Sequence, residues 1–369
     1  MGKYYLTTPI YYVNAKPHLG HAYTTIVSDA LARWHRMLGD DVYFLTGTDE
    51  HGLKIQQAAD AAGTSPKEFA DSIAPLFQQA WQRLNISNDD FIRTTEQRHR
   101  IGVQKLLQAC YDAGDIELDT YSGLYCVGCE EYYVEDELDG GNCPIHKKPV
   151  EYFEEENYFF RLSRFEQRLL DWYDAHPGAI VPDFRGNEVR GFIKGGLRDF
   201  SISRTSLNWG IPIPWDPKHV TYVWFDALIN YCTAVGYPDD RARFDRYWPV
   251  NYHLIGKDIL RFHAVFWPAM LMGSAETDDH RVLNLPYDVP ANQYVTMSGA
   301  KASSSRNWAV WMPDYLDRHA PDPLRYMLSA VMPETSDSDF TWAEYVRRNN
   351  DELVATWGNT SLNLPWSCI

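Results

Sequence analysis

Tyr4-Tyr5-Leu6-Thr7-Thr8-Pro9-Ile10-Tyr11-Tyr12-Val13-Asn14, then Pro17-His18-Leu19-Gly20-His21, then the run 22–37, form the stretch that decides the fold. The apolar, aromatic opening reads as a buried strand at 3–8. Residues 22–37 carry Ile26, Ala30 and Trp34 at i, i+4 and i+8 and read as a helix that ends at Gly39. Strand, tight turn and helix start then place two imidazoles and a glycine where free backbone N–H groups and the helix dipole favour an anion. Gly20 allows close approach to the backbone, and His18 and His21 share one face of the first turn. A phosphate chain is the natural occupant. Taken alone, the same residues also suit half of a metal site or two capped surface histidines.

Outward from this turn the pattern alternates. Residues 42–46 read as a second apolar strand, 53–62 and 66–84 as helices, 91–94 as a short strand, and the segment up to 111 as a helix. Such alternation predicts an α/β fold with a doubly wound parallel sheet. No G-x-G-x-x-G follows the first strand, which argues against the usual dinucleotide fingerprint. From about 115 to 215 aromatics, glycines and cysteines dominate, with one helical stretch at 164–175, and this reads as an insertion. Alternation resumes at 220–231 and 253–272, and 323–332 and 342–350 are helical. The expected division is 1–115 and 218–290 for the split nucleotide-binding domain and 116–217 for the insertion. Residues 291–345 form a small α/β region, and 346–369 begin a further helical domain.

The chain has 369 residues, enough for two or three domains, and its 45% hydrophobic and 23% charged content is that of a globular protein. No apolar run reaches the ~20 residues of a membrane span, and the opening lacks a secretory signal, so a cytoplasmic protein is expected. A formal charge of −16 argues against a nucleic-acid partner unless positive patches are localised.

Cys126-Val127-Gly128-Cys129 and Cys143-Pro144-Ile145-His146 are two short chelating pairs separated by a loop. Cys126, Cys129, Cys143 and His146 supply four ligands for a tetrahedral, structural Zn²⁺, which would staple a segment with little apolar core. Cys110 and Cys232 lie in apolar runs and read as core.

Two further loops suggest a nucleotide site. Thr46-Gly47-Thr48-Asp49-Glu50-His51-Gly52 follows the second strand, where Asp49 could hold an ammonium group or stand as a solvated acidic turn. Lys301-Ala302-Ser303-Ser304-Ser305-Arg306 combines cations and hydroxyls on a Gly-flanked loop. It suits closure over a polyphosphate, or a polar linker.

These residues carry a resemblance. His18-Leu19-Gly20-His21 resembles the first signature of class I aminoacyl-tRNA synthetases, and Lys301 to Ser305 resembles a degenerate copy of the second, K-M-S-K-S. More narrowly, the chain resembles the methionyl-tRNA synthetase family. Its blocks Pro9-Ile10-Tyr11-Tyr12-Val13-Asn14, Thr46 to Gly52, the cysteine–histidine knuckle, Tyr222-Val223-Trp224-Phe225-Asp226-Ala227 and Ile255-Gly256-Lys257-Asp258 occur in the family's order and cover nearly the whole chain.

The resemblance implies a methionine–tRNA ligase. Such an enzyme forms methionyl-adenylate from L-methionine and ATP, with Mg²⁺ accompanying ATP, and transfers methionine to the 3′ end of tRNA(Met). It implies that His18, Gly20 and His21 meet the ATP phosphates, with Lys301, Ser303, Ser304 and Ser305 on the leaving pyrophosphate and Asp258 on the ribose. Asp49 would hold the methionine ammonium. Ile10, Tyr12, Trp224, Leu228, Tyr231, Ile259 and His263 would line the side-chain pocket, with Tyr12 and His263 as weak donors to sulfur. Arg204, in Ser201-Ile202-Ser203-Arg204, is a further candidate for a phosphate or acceptor-end contact. Oligomeric state stays open, with a monomer favoured.

The chain departs from the family twice. Ser304 replaces the second lysine of the loop signature, and Ala302 the methionine, so a slower but active site is expected. The family continues into an anticodon-reading helical domain, whereas this sequence stops at Ile369, so a truncated chain that activates methionine but charges tRNA weakly is expected. The rival readings are a class I synthetase for another aliphatic amino acid or cysteine, and a catalytically impaired nucleotide- or tRNA-binding paralogue.

Overall fold

The computed structural model describes residues 2–126, 131–145, 147–274, 285–286, 288–301 and 308–360. Strand β1 (Lys3–Tyr12) leads into helix α1 (Leu19–Met37), followed by β2 (Asp41–Asp49), α2 (Leu53–Ala62), α3 (Pro66–Arg83), β3 (Asp90–Arg93) and α4 (Gln97–Asp112). The chain then forms an antiparallel unit, β4 (Ile116–Cys126), β5 (Glu131–Tyr133) and β6 (Glu151–Phe160). After it come α5 (Glu166–Ala175), β7 (Ile180–Val181), α6 (Asp183–Lys194), β8 (Phe200–Ser201), β9 (Ser203–Arg204), β10 (Val220–Thr221), α7 (Val223–Leu228), α8 (Asn230–Thr233) and α9 (Arg241–Tyr247).

The main sheet resumes with β11 (Tyr252–His253) and β12 (Ile255–Gly256). A wide helical turn, Phe262–Phe266, opens into α10 (Trp267–Ser274), and β13 (Val289–Asn292) follows. A small sheet of β14 (Val295–Met297), β15 (Ala300–Lys301) and β16 (Ser338–Phe340) packs with α11 (Met312–Leu316), α12 (Pro321–Ala330) and α13 (Trp342–Arg347).

One parallel sheet organises these parts. β3, β2, β1 and β11 lie side by side, as do β12, β13 and β7. Only Leu254 separates β11 from β12, and its amide donates to the Thr7 carbonyl at 3.1 Å, so the two sets join. The chain winds outward from β1 to β3, then returns to β1's other side. That reversal is the switch point at which open α/β sheets bind ligands beyond the carboxyl ends of their strands. Those ends carry Tyr12, Asp49 and, just past Gly256, Asp258.

The opening strand runs past residue 8 because it absorbs a bulge. Its register against β2 shifts between Thr7 and Ile10, around Pro9, which has no N–H to give a ladder. The slip swaps the faces of the strand. Tyr5 belongs to the core cluster that also holds Phe225, Tyr231 and Val265, whereas Tyr11 belongs to the opposite cluster, with Leu19, Ile26, Phe77 and Trp81. Each such buried side chain contributes about 1.5–3 kcal/mol, which holds both faces in register.

The insertion is less separate than its composition implies. β7 forms the edge of the main sheet beside β13. Phe165, Leu169, Tyr173, Val189 and Ile193 pack in the same cluster as Tyr5 and Leu45. The antiparallel unit of β4, β5, β6 and β8 is the part with its own pairing.

Candidate active site

Helix α1 begins one turn earlier than its apolar period suggests, because His18 caps it. The Gly20 amide donates to His18 Nδ1 at 3.1 Å, and the His18 amide donates to His21 Nδ1 at 3.2 Å, a reciprocal capping box. The rings stack with centroids 3.9 Å apart. Leu19 N–H donates to the Val310 carbonyl, and His21 and Ala22 N–H donate to the His18 carbonyl. The helix start therefore has no spare amide for an anion, contrary to the expectation from sequence. The space over Gly20 is likewise taken: a Cβ there would lie 3.0 Å from His18 Cε1.

What the turn offers is imidazole. Each Nδ1 accepts an amide proton, so each neutral ring carries its hydrogen on Nε2. Neither Nε2 has a protein partner among the described residues. Burial lowers the His18 pKa to about 4 and takes His21 well below the ordinary value, the latter helped by His18. Two neutral N–H donors, not two cations, face the switch point. Tyr11 supports them from below: its ring centroid is 4.9 Å from that of His21, and its hydroxyl contacts the His21 carbonyl and Thr25 Oγ1.

The Lys301 strand reaches the same place. β15 pairs Lys301 with Thr296 of β14, and Val295 of β14 shares an apolar cluster with Leu19, Ala22 and Tyr23. On the far side of the loop, His18 bridges to Trp311, and Met312 N–H donates to the Pro17 carbonyl at 2.8 Å. Both flanks of the loop are thus tied to the first turn of α1. Ser303, Ser304, Ser305 and Arg306 lie outside the described residues.

Asp49 ends β2 and is buried. Its neighbours are pinned on both sides. Glu50 takes Arg93 through both oxygens, at 2.6 and 2.9 Å, together with the hydroxyls of Thr48 and Thr95. His51 Nδ1 lies 2.6 Å from Asp226 Oδ2, and Trp209 Nε1 donates to the Glu50 carbonyl. Asp258 is exposed beyond β12 and sits so close to Gly256 that a Cβ there would be 2.7 Å from its Oδ1.

The structure brings together the residues that the resemblance assigns to a side-chain pocket. Trp224 stacks on Phe262 with centroids 3.8 Å apart and meets the Tyr12 ring edge-on at 6.2 Å. Leu228 and Tyr231 are buried, and Ile10 and Ile259 pack at the edge of the same core. His263 Nδ1 lies 3.0 Å from the Ile259 carbonyl, which can only accept, so Nδ1 carries the proton. Nε2 therefore accepts from the Tyr231 hydroxyl at 2.8 Å. With both nitrogens engaged and its pKa lowered to about 4 by burial, His263 is not a donor to sulfur. Tyr231 is not one either, because its hydrogen is already committed.

Arg204 is held within the protein. It is buried, donates to Ser201 Oγ and the Ser203 carbonyl, and lies over the rings of Tyr222 and Tyr125. These contacts anchor β9 to its surroundings.

Of the four predicted zinc ligands, Cys129 and His146 lie outside the described residues, and no cluster of three metal-binding side chains occurs among the described ones. Cys126 and Cys143 are buried together with Tyr133, whose hydroxyl is 3.8 Å from Cys143 Sγ. Gly140 and Gly141 have φ of 59° and 85°, as tight knuckle turns require. Among the described residues the cluster holds little else, with Leu138 and Val150 at its edge, so two thiols at its centre fit a metal staple.

Sequence reasoning missed Arg93, His99, Trp209, Thr233 and Phe262, whose roles arise only from distant packing. Glu50, His51 and Asp226 stand within the family-like blocks of the sequence, but their partners come from distant segments. Pro9 was the available signal for the bulge.

This sheet, switch-point site and signature turn define a class I tRNA synthetase. The chain belongs to that family: the family model described as "tRNA synthetases class I (M)" matches residues 4–151 and 136–362. A methionine–tRNA ligase of Streptomyces coelicolor is 47% identical over 96% of this chain and 66% of its own length. One from Thermotoga maritima is 47% identical over 97% of this chain and 56% of its own. The solved Mycobacterium tuberculosis methionyl-tRNA synthetase in complex with methionyl-adenylate superposes with a TM-score of 0.91 at 44% identity, covering 97% of this chain and 70% of that one. The apo form of that enzyme gives 0.78 at 41% identity. The chain thus spans roughly half to two thirds of the length of the curated relatives it matches.

Proposed function

We propose that this chain is the methionine-activating part of a methionine–tRNA ligase, condensing L-methionine with ATP to methionyl-adenylate with release of pyrophosphate and passing the methionyl group to the 3′ end of tRNA(Met). The observation that carries this reading is the grouping of the His18–His21 turn, Asp49 and the Trp224–Tyr231–His263 wall beyond the carboxyl ends of the strands, with the β14–β15 pair packed against the same turn. Relatives that bear the activity in their names support it.

In this reading the reaction needs alignment more than covalent help. Asp49 holds the substrate ammonium and the aromatic wall holds its side chain, so the carboxylate meets the α-phosphate in line. Nε2–H of His18 and His21 donates to phosphate oxygens as their charge grows, and Lys301 neutralises the departing pyrophosphate. Neutral rings suit this role, since they need not shed a proton. Asp258 accepts from the ribose hydroxyls. Tyr12 is the remaining weak donor for the thioether.

Mg²⁺ enters with ATP as part of the substrate. Cys126, Cys129, Cys143 and His146 would hold a zinc ion that stabilises the antiparallel unit. No described helix is long and apolar enough to cross a membrane, and the functional reading places the chain in the cytoplasm. The test is ATP–pyrophosphate exchange on this chain with methionine, leucine, isoleucine, valine and cysteine offered separately. Exchange driven by methionine is expected, and preference for another amino acid, or ATP binding with no exchange, refutes the proposal.

A further inference from the structure

Asp226 lies at the centre of a fully buried polar chain that the activation chemistry does not use. Its Oδ2 is 2.6 Å from His51 Nδ1 and its Oδ1 is 2.7 Å from His99 Nε2. His99 Nδ1 lies 3.1 Å from Thr233 Oγ1, which reaches the Asn230 carbonyl at 3.2 Å. The side chains of Asp226 and His99 have no exposure, and that of His51 has 7%.

The three groups come from three elements. His51 follows Asp49 by two residues at the end of β2. Asp226 sits on α7 between Trp224 and Leu228. His99 belongs to α4 behind them. Each carboxylate oxygen takes one imidazole, so the group cannot turn without breaking a bond.

Stability alone gives little reason for such an arrangement. Burying ionisable groups is costly, and well-packed apolar residues in their place are often neutral or stabilising. What the chain does supply is a fixed distance between a loop and a helix. The loop carries the carboxylate proposed to hold the ammonium, and the helix carries the wall proposed to hold the side chain. Trp209 closes the outer side, its ring centroid 5.2 Å from that of His51.

We infer that His51, Asp226 and His99 are positioning residues that set the spacing between the ammonium subsite at Asp49 and the side-chain subsite at Trp224 and Leu228. They act through those residues and touch neither substrate group. The inference rests on the methionine-activating reading and adds to it a determinant of amino-acid affinity. It requires their loss to fall on methionine and to spare ATP, whose proposed contacts stand on α1, the Lys301 strand and Asp258.

The test is steady-state ATP–pyrophosphate exchange on the chain as it stands, with KM measured for each substrate. Wild-type exchange with methionine checks the parent reading separately, and its absence ends both. Asp226→Asn and His99→Leu are expected to raise the methionine KM about tenfold, leaving the ATP KM within about twofold. His99→Gln, which can still donate to Asp226, is expected to recover most of the loss. Thr233→Val keeps the shape, removes the bonds of Oγ1 to His99 and to the Asn230 carbonyl while leaving both Asp226 bonds in place, and should raise the methionine KM about threefold, so a poorly folding Asp226 variant does not end the test. Equal rises in both KM values, or a fall in kcat alone as from a smaller folded fraction, overturn the inference.

Discussion

The Tyr231 hydroxyl donates to Nε2 of His263 across 2.8 Å, and that bond fixes the protonation of the pocket wall. His263 cannot then present a hydrogen to a ligand. Tyr231→Phe should leave Nε2 buried without a donor, a cost of about 1–3 kcal/mol. Methionine kcat/KM should fall by about tenfold or more, with ATP KM little changed. Exchange kinetics with methionine at wild-type level would contradict this.

Acid should destabilise the fold through the same kind of burial. His18 and His263 both fall from 6.5 to about 4 in the folded chain. Between those values the unfolded chain binds more protons, so the stabilisation is intact above about 6.5 and is lost as pH drops toward 4. The slope is at most about 1.4 kcal/mol per pH unit for each ring. Urea midpoints should be lower at pH 5 than at pH 7, and equal midpoints would show that these rings are not neutral in the native state.

Gly20 is required by its own neighbour. Gly20→Ala would set a Cβ 3.0 Å from His18 Cε1, so the ring must give by a few tenths of an ångström, which disturbs its cap. The expected result is a drop of about tenfold to a hundredfold in kcat/KM for ATP, with folding retained. Wild-type ATP kinetics in this variant would rule against His18 as a phosphate contact.

The altered signature loop predicts a gain. Ser304→Lys adds a charge-assisted contact of about 1.5–3 kcal/mol to the leaving pyrophosphate. Exchange should quicken by about tenfold or more. An unchanged or slower rate would mean that position 304 does not serve the leaving group.

Zinc analysis tests the knuckle. Elemental analysis of the purified chain should find about one zinc per molecule. Cys143→Ser should lose it and unfold the antiparallel unit first, seen as faster proteolysis near 116–160. Zinc-free protein with unaltered protease resistance would refute the staple.

Much of this was legible in the sequence. Alternating periods announced the parallel sheet, because a buried strand and an amphipathic helix bury apolar residues at different spacings. The aromatic wall could be gathered by block resemblance. Pro9 inside a strand was a visible sign of the bulge that turns Tyr5 and Tyr11, six residues apart, to opposite faces. The fate of Arg204 was not legible, since whether a guanidinium meets a ligand or two tyrosine rings depends on segments far apart in the chain.

By itself the sequence determined the alternation of strands and helices on either side of the insertion, and which chemical groups stand at strand ends and on the first turn of α1. These follow from local periodicity and turn chemistry. Only the tertiary structure decided protonation and availability: that His18 and His21 are neutral donors, that the helix amides are already used, that His263 is closed to sulfur, and that Asp226 is gripped by His51 and His99. The reason is physical. A proton's place, and a hydrogen bond's cost when unmade, depend on burial and on partners brought together from distant parts of the chain, and neither is encoded at any single position.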